Sequence, residues 1–88
     1  MECITYVVKV GDKEIVIDED IVKILNEYVR TEFTLEKLAE ILGFDSWEEA
    51  YEFIKKVPAW IMWTPYTLWK VHVEKCKALG IEFKKVIL

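Results

Sequence analysis

Between residues 4 and 17 the apolar side chains recur with a period of two, and beyond residue 18 the period becomes that of a helix. That switch confines the chain to an α+β arrangement that begins with a hairpin. In ITYVVKV, Ile4, Tyr6, Val8 and Val10 share one face; Gly11-Asp12 supplies a turn, and Ile15 and Ile17 continue the alternation. A two-residue loop sets Val8 across from Ile15, Tyr6 across from Ile17, and Lys9 across from Glu14. The apolar faces then agree and the charged pair is complementary.

Asp18-Glu19-Asp20 opens a helix with Ile21, Ile24, Leu25 and Tyr28 at helical spacing, widened by Val22 and Val29. A second helix starts at Thr34, carries Leu35, Leu38, Ala39 and Leu42, and ends at Gly43, a residue suited to a left-handed cap, with Phe44 packing back. Ser46 and Glu49 have the spacing of a capping box for a third helix, whose expected inner face is Trp47, Ala50, Tyr51, Ile54 and Val57. Pro58 stops it. Thr64-Pro65 opens a fourth helix, with Thr64 as its cap and Trp69, His72, Cys76 and Leu79 on its apolar side. Gly80 ends that helix, and IEFKKVIL reads as a last strand in which Ile81 and Phe83 alternate. The expected order is ββααααβ in one domain over residues 1–88. The C-terminal strand joins the hairpin in a three-stranded antiparallel sheet, packed on a helical layer.

A chain of 88 residues buries about 60–65% of the surface its unfolded form exposes, so its core is thin. Against that limit stands VPAWIMWTPYTLW, residues 57–69, with three of the four tryptophans. Trp63 and Leu68 have the spacing of a hydrophobic staple, Trp69 belongs to the fourth helix, and Trp47 to the third. Trp60 has no such duty. Between Pro58 and Pro65 there is room for about one helical turn, which cannot bury Trp60, Ile61, Met62 and Trp63 together. These four are the candidate contact surface for another protein, a second copy of the chain first.

The net charge of −4 is unevenly spread. Residues 1–57 carry 14 acidic and 7 basic side chains, whereas residues 58–88 carry 2 acidic and 5 basic. Asp45, Glu48, Glu49 and Glu52 form an acidic helical face that suits a basic partner. Lys70, Lys77, Lys84 and Lys85 offer a separate surface to phosphates. No segment is long and apolar enough to span a membrane, and MECITYVVKVGDKE has no basic, signal-like start. A cytoplasmic protein with reduced cysteines is the resulting expectation. There is no glutamine and one asparagine, Asn26, beside abundant Glu and Lys, a bias shared with hyperthermophile proteins.

Little points to catalysis. Gly11, Gly43 and Gly80 all fall at turns or caps, so no phosphate-binding loop exists. His72 and Cys76 stand four residues apart on one helix face, with Cys3 as a possible third donor. Without a CxxC pair or a second histidine, the pattern reads as a buried neutral imidazole beside an inert thiol. No enzyme activity, cofactor, metal or small-molecule substrate is expected.

One segment, LEKLAEILGFDSWEEAYEFI at residues 35–54, resembles the helix-turn-helix family through Leu38-Ala39, Leu42-Gly43-Phe44 and Ser46. The resemblance covers under a quarter of the chain and implies a DNA-binding regulator, of winged-helix type once the hairpin is included. Two features depart from that pattern. The turn holds one residue more, and the helix meant for the major groove begins DSWEE, where Arg, Lys, Asn or Gln would read bases. The sequence therefore favours a non-catalytic interaction module, homodimeric through the segment between Pro58 and Pro65, over the DNA-binding alternative.

Overall fold

The computed structural model describes residues 3–31 and 33–88. Strands β1 (Ile4–Val10) and β2 (Lys13–Ile17) precede helices α1 (Glu19–Arg30), α2 (Leu35–Leu42), α3 (Trp47–Lys56), α4 (Ala59–Trp63) and α5 (Tyr66–Ala78), and β3 (Lys84–Ile87) closes the chain. This is the expected α+β order, with the inter-proline segment forming the extra short helix α4. No helix among the described residues is long and apolar enough to cross a membrane.

The hairpin has the register set by its turn: Tyr6 opposes Ile17, Val8 opposes Ile15, and Lys9 opposes Glu14. Gly11 has φ of 61°, the left-handed value required at the first position of a tight II′-type hairpin turn. The sheet order is β2-β1-β3, and β3 runs parallel to β1, which corrects the expectation of a fully antiparallel sheet. A covalent tie explains the direction. Cys76, near the end of α5, is disulfide-bonded to Cys3, just before β1. Helix α5 therefore delivers the chain to the start of β1, where the Lys84 amide donates to the Cys3 carbonyl at 2.9 Å. From there β3 can only run alongside β1, reaching a bond from the Leu88 amide to the Val7 carbonyl at 2.8 Å. The strand is shorter than expected, and Ile81 and Phe83 precede it.

The disulfide also corrects the expectation of reduced, inert thiols.

Helices α1 and α3 pack against the hairpin. Val8, Val10 and Ile17 meet Val22, Leu25, Leu38, Ala39, Phe44, Ala50, Phe53, Val57 and Ile61 in a single core. Local caps fix where the helices begin. Asp18 accepts from the Ile21 amide at 3.0 Å and Thr34 from the Lys37 amide at 3.1 Å. Helix α2 ends at Gly43, φ 77°, where the Phe44 amide reaches back to the Ala39 carbonyl at 2.8 Å and drives the Phe44 ring onto Phe53, 5.8 Å between centroids.

Helix α3 is rotated relative to its expected face. Ala50, Phe53 and Val57 are buried, whereas Trp47 and Tyr51 are exposed. Once Phe44 is directed inward by the α2 cap, the ring it packs against is Phe53, and that contact sets the rotation. The expected capping box is altered too. Ser46 makes no side-chain cap bond, and Glu49 accepts from the Asp45 amide at 2.8 Å instead.

The break between α4 and α5 is closed from a distance. Thr64, expected to cap α5, donates its hydroxyl backward to the Trp60 carbonyl at 2.6 Å. The Tyr66 amide instead donates to Oδ1 of Asn26 at 3.0 Å, and Asn26 Nδ2 donates to the carbonyls of Met62 and Thr64, both at 2.9 Å. In an unbroken helix the Tyr66 amide would pair with the Met62 carbonyl. Pro65 prevents that, and the buried Asn26 carboxamide inserts itself between the two groups and satisfies both.

Two outcomes test these ties. Asn26→Leu leaves two carbonyls and one amide without partners and should lower stability by about 3 kcal/mol or more, read from urea unfolding. The bridge spans 73 residues, so the double variant Cys3→Ser, Cys76→Ser should lose about 4 kcal/mol through loop-closure entropy in the unfolded chain.

Candidate functional site

Helix α4 is anchored by one side chain. Ile61 is fully buried, and Met62 is half-buried against the same core. A residue sealed in its own core cannot meet a partner, so Ile61 is withdrawn from the expected contact surface and Met62 contributes only in part. The indoles are displayed in consequence: Trp60 is 53% and Trp63 57% exposed.

Trp60 is exposed without being free. Its ring meets Tyr6 edge-on at 5.6 Å and stacks against Trp69 at 6.3 Å, while Tyr6 and Trp69 lie 6.2 Å apart. The three rings form the wall of a groove of about 270 Å³. Ile4, Leu68, Val73, Thr64 and His72 complete it, so the lining is almost wholly apolar. About half of the Trp60 indole is thus used against Tyr6 and Trp69, and half is presented outward.

Helix α5 extends this surface. Its inner side carries buried Cys76 and half-buried Trp69, yet Leu68, Val71 and Leu79 are 61, 59 and 60% exposed. Spacings of three and eight residues place these three, with His72 and Lys75, on a second face of the helix. His72 is exposed, which corrects the expectation of a buried imidazole. Leu79, expected on the inner side, faces out, because the disulfide at Cys76 sets the rotation of the helix.

No family model, curated protein or solved structure matches the chain. The arrangement has to be judged from its own chemistry.

The acidic residues singled out from the sequence are largely engaged within the chain. Lys13 of β2 reaches Asp45 at 3.3 Å and Glu49 at 3.5 Å, donates to the Gly43 carbonyl, and lies 5.6 Å from the Phe44 ring centroid. Desolvation works against its ammonium, but the two carboxylates outweigh it and raise the Lys13 pKa. Glu52 pairs with Lys56 at 3.4 Å, and Glu48 is left facing solvent. The hairpin thereby holds the turn between α2 and α3.

The four lysines do not form one basic surface. Lys85 on the outer face of the sheet hydrogen-bonds Glu14 at 2.9 Å and lowers that carboxyl's pKa. Lys70 and Lys77 line a second groove of about 440 Å³ together with Asp18, Glu19 and Glu74, so their charge is opposed locally. Lys84 is exposed at the start of β3.

Two features of this site escaped the sequence reading: the outward face of α5 and the part played by Asn26. A helix with apolar residues on two sides has weak amphipathicity, and that was the available signal. Trp60→Ala should cost about 2 kcal/mol in urea unfolding. That is less than the roughly 3–5 kcal/mol of a fully buried tryptophan, because only the ring contacts and half the area are lost.

Proposed function

We propose that this chain is a non-catalytic interaction module that self-associates through the outward face of α4 and α5. The observation that carries the reading is the concentration of exposed apolar groups there. Trp60, Trp63, Leu68, Val71 and Leu79 are all more than half exposed and lie within twenty consecutive residues. Isolated exposed apolar side chains are ordinary, but a cluster bordering a groove is the mark of a contact surface.

A second copy is the occupant that fits the pattern best. A two-fold interface brings a surface onto itself, so it needs a face that tolerates self-apposition. Two copies of α5 packed antiparallel would set Leu68 of one against Leu79 of the other, since these residues terminate the exposed stripe. Val71 and His72 would lie near the axis, and Lys75 can lay its aliphatic stem along the seam with its ammonium at the rim. Asp45, Glu49 and Glu52, on α3 and the turn before it, are tied up with Lys13 and Lys56, and Glu14 of the hairpin with Lys85. A cytoplasmic location belongs to the same proposal, with the disulfide explained by a thermophile-type composition.

DNA binding is the weaker alternative. The exposed face of α3 offers Trp47, Glu48 and Tyr51, with Lys55 held 4.8 Å from the Tyr51 ring centroid, so its one lysine is offset by Glu48 and it has no net positive charge for phosphates.

Sedimentation analysis of the wild-type chain at micromolar to millimolar concentration should give a dimer. Val71→Glu and Leu79→Glu, at exposed positions, should each give a monomer with unchanged circular dichroism and melting temperature. A wild-type monomer across that range, or a dimer indifferent to both substitutions, removes the proposal.

A further inference from the structure

The disulfide has a neighbour that its structural role does not require. Nε2 of His72 lies 3.7 Å from Sγ of Cys76, and the sulfurs of Cys3 and Cys76 and a ring nitrogen of His72 all fall within 4.8 Å of one another. We infer that the dithiol form of this chain is a zinc site, with Cys3, Cys76 and His72 as its three protein ligands.

The geometry supports this in three ways. First, thiolates at about 2.3 Å and an imidazole nitrogen at about 2.0–2.1 Å from a tetrahedral zinc are separated from each other by about 3.6 Å. The existing gap between Nε2 and Cys76 Sγ already has that length. Second, the sulfurs need only part to non-bonded contact, about 3.8 Å, to occupy two further corners of the same tetrahedron. Breaking the S–S bond produces that separation without moving α5 far from β1. Third, the two cysteines are buried while His72 stands at the rim of the Trp60 groove. The metal would have an apolar inner wall and a fourth position open toward the groove, where water can complete the shell. Two thiolates and an imidazole make a borderline-soft donor set that suits zinc and disfavours magnesium or calcium.

The exchange balances with a dithiol as reductant. Two electrons and two protons pass to the bridge, the Cys3–Cys76 bond breaks to give two thiols, and the dithiol closes into its own disulfide. Zinc then displaces the two thiol protons to solvent and forms two Zn–S bonds. Neutral His72 donates the lone pair of Nε2 and keeps its proton on Nδ1. Either the covalent bridge or the metal holds the end of α5 to the start of β1. The three donors come from one chain, so this inference stands independently of self-association.

The test uses the full chain in both redox states. It is reduced with excess dithiothreitol, desalted under anaerobic conditions and titrated with Zn²⁺, followed by elemental analysis, and in parallel with Co²⁺, followed by absorbance. The reduced chain should take up one metal per chain, with visible cobalt bands of a tetrahedral site and thiolate charge-transfer absorption, and the oxidised chain none. His72→Ala, at an exposed position, should weaken Co²⁺ uptake by at least the roughly 10- to 100-fold that loss of an outer-shell partner costs. Zinc should also raise the melting temperature of the reduced wild-type chain. Absence of uptake by the reduced chain, equal uptake by the oxidised chain, affinity unchanged in His72→Ala, or a melting temperature indifferent to zinc each overturns the assignment.

Discussion

The carboxamide of Asn26 joins the two halves of this molecule. Helix α4 has five residues, too few to persist alone, because helix nucleation is unfavourable and short helices gain few bonds. The carbonyls at its C-terminal end would be costly to bury without partners, and Pro65 removes an amide that a continuing helix would have used. Asn26 resolves these demands together, since an amide side chain offers a donor and an acceptor in the same geometry as the peptide it replaces. From a buried position on α1 it satisfies Met62, Thr64 and Tyr66 at once. A serine hydroxyl has a single donor hydrogen and could not serve both carbonyls, and leucine offers neither donor nor acceptor. The angle between α4 and α5, and hence the placing of Trp60 against Trp69, follows from this one side chain.

The second constraint is covalent and acts at the opposite end of α5. With Cys76 bonded to Cys3, the helix is pinned near the start of β1, and the direction of β3 follows. Two fixed ends leave α5 one rotation about its axis. Trp69 and Cys76 turn inward, and Leu68, Val71 and Leu79 are forced out. The exposed stripe is therefore a consequence of how the helix is held, and not a looseness in packing.

What could be read in the sequence was local. The hairpin register followed from a two-residue turn between alternating faces, and the Asp18, Thr34 and Gly43 caps followed from short-range hydrogen-bonding rules. What could not be read depended on contacts distant along the chain. Asn26 stands out in the sequence only as the lone asparagine, although its position four residues after Val22 lies on the buried stripe, where a polar residue must have partners. The spacing of Trp47, Ala50, Tyr51, Ile54 and Val57 does not reveal the rotation of α3, which is set by the contact of Phe53 with Phe44. His72 shares helical spacing with Trp69 and Cys76, which predicts an inner position, but the helix rotation leaves it exposed. The cysteines, 73 residues apart, had no spacing from which a bond could be inferred. The Trp60 segment was legible in part: two prolines and a thin core leave indoles showing, but the burial of Ile61 needed the position of α1.

A small domain always leaves apolar area in water, since more than half of a folded protein's surface is contributed by apolar atoms. Size alone therefore accounts for scattered exposure, such as that of Ile41 on α2 or Val16 and Ile87 on the sheet's outer face. It does not account for five large apolar residues more than half exposed within twenty positions, two of which, Trp60 and Leu68, line a groove walled by three aromatic rings. Nor is that surface soft. The Asn26 clamp, the disulfide and the ring stack fix its backbone on three sides, and rigid aromatic side chains lose little rotamer freedom when covered. Association costs most when loops and side chains must be ordered at the moment of contact. Here the ordering is already done within the fold, so apolar area covered on this face would pass into binding free energy with smaller entropic loss than on a flexible loop.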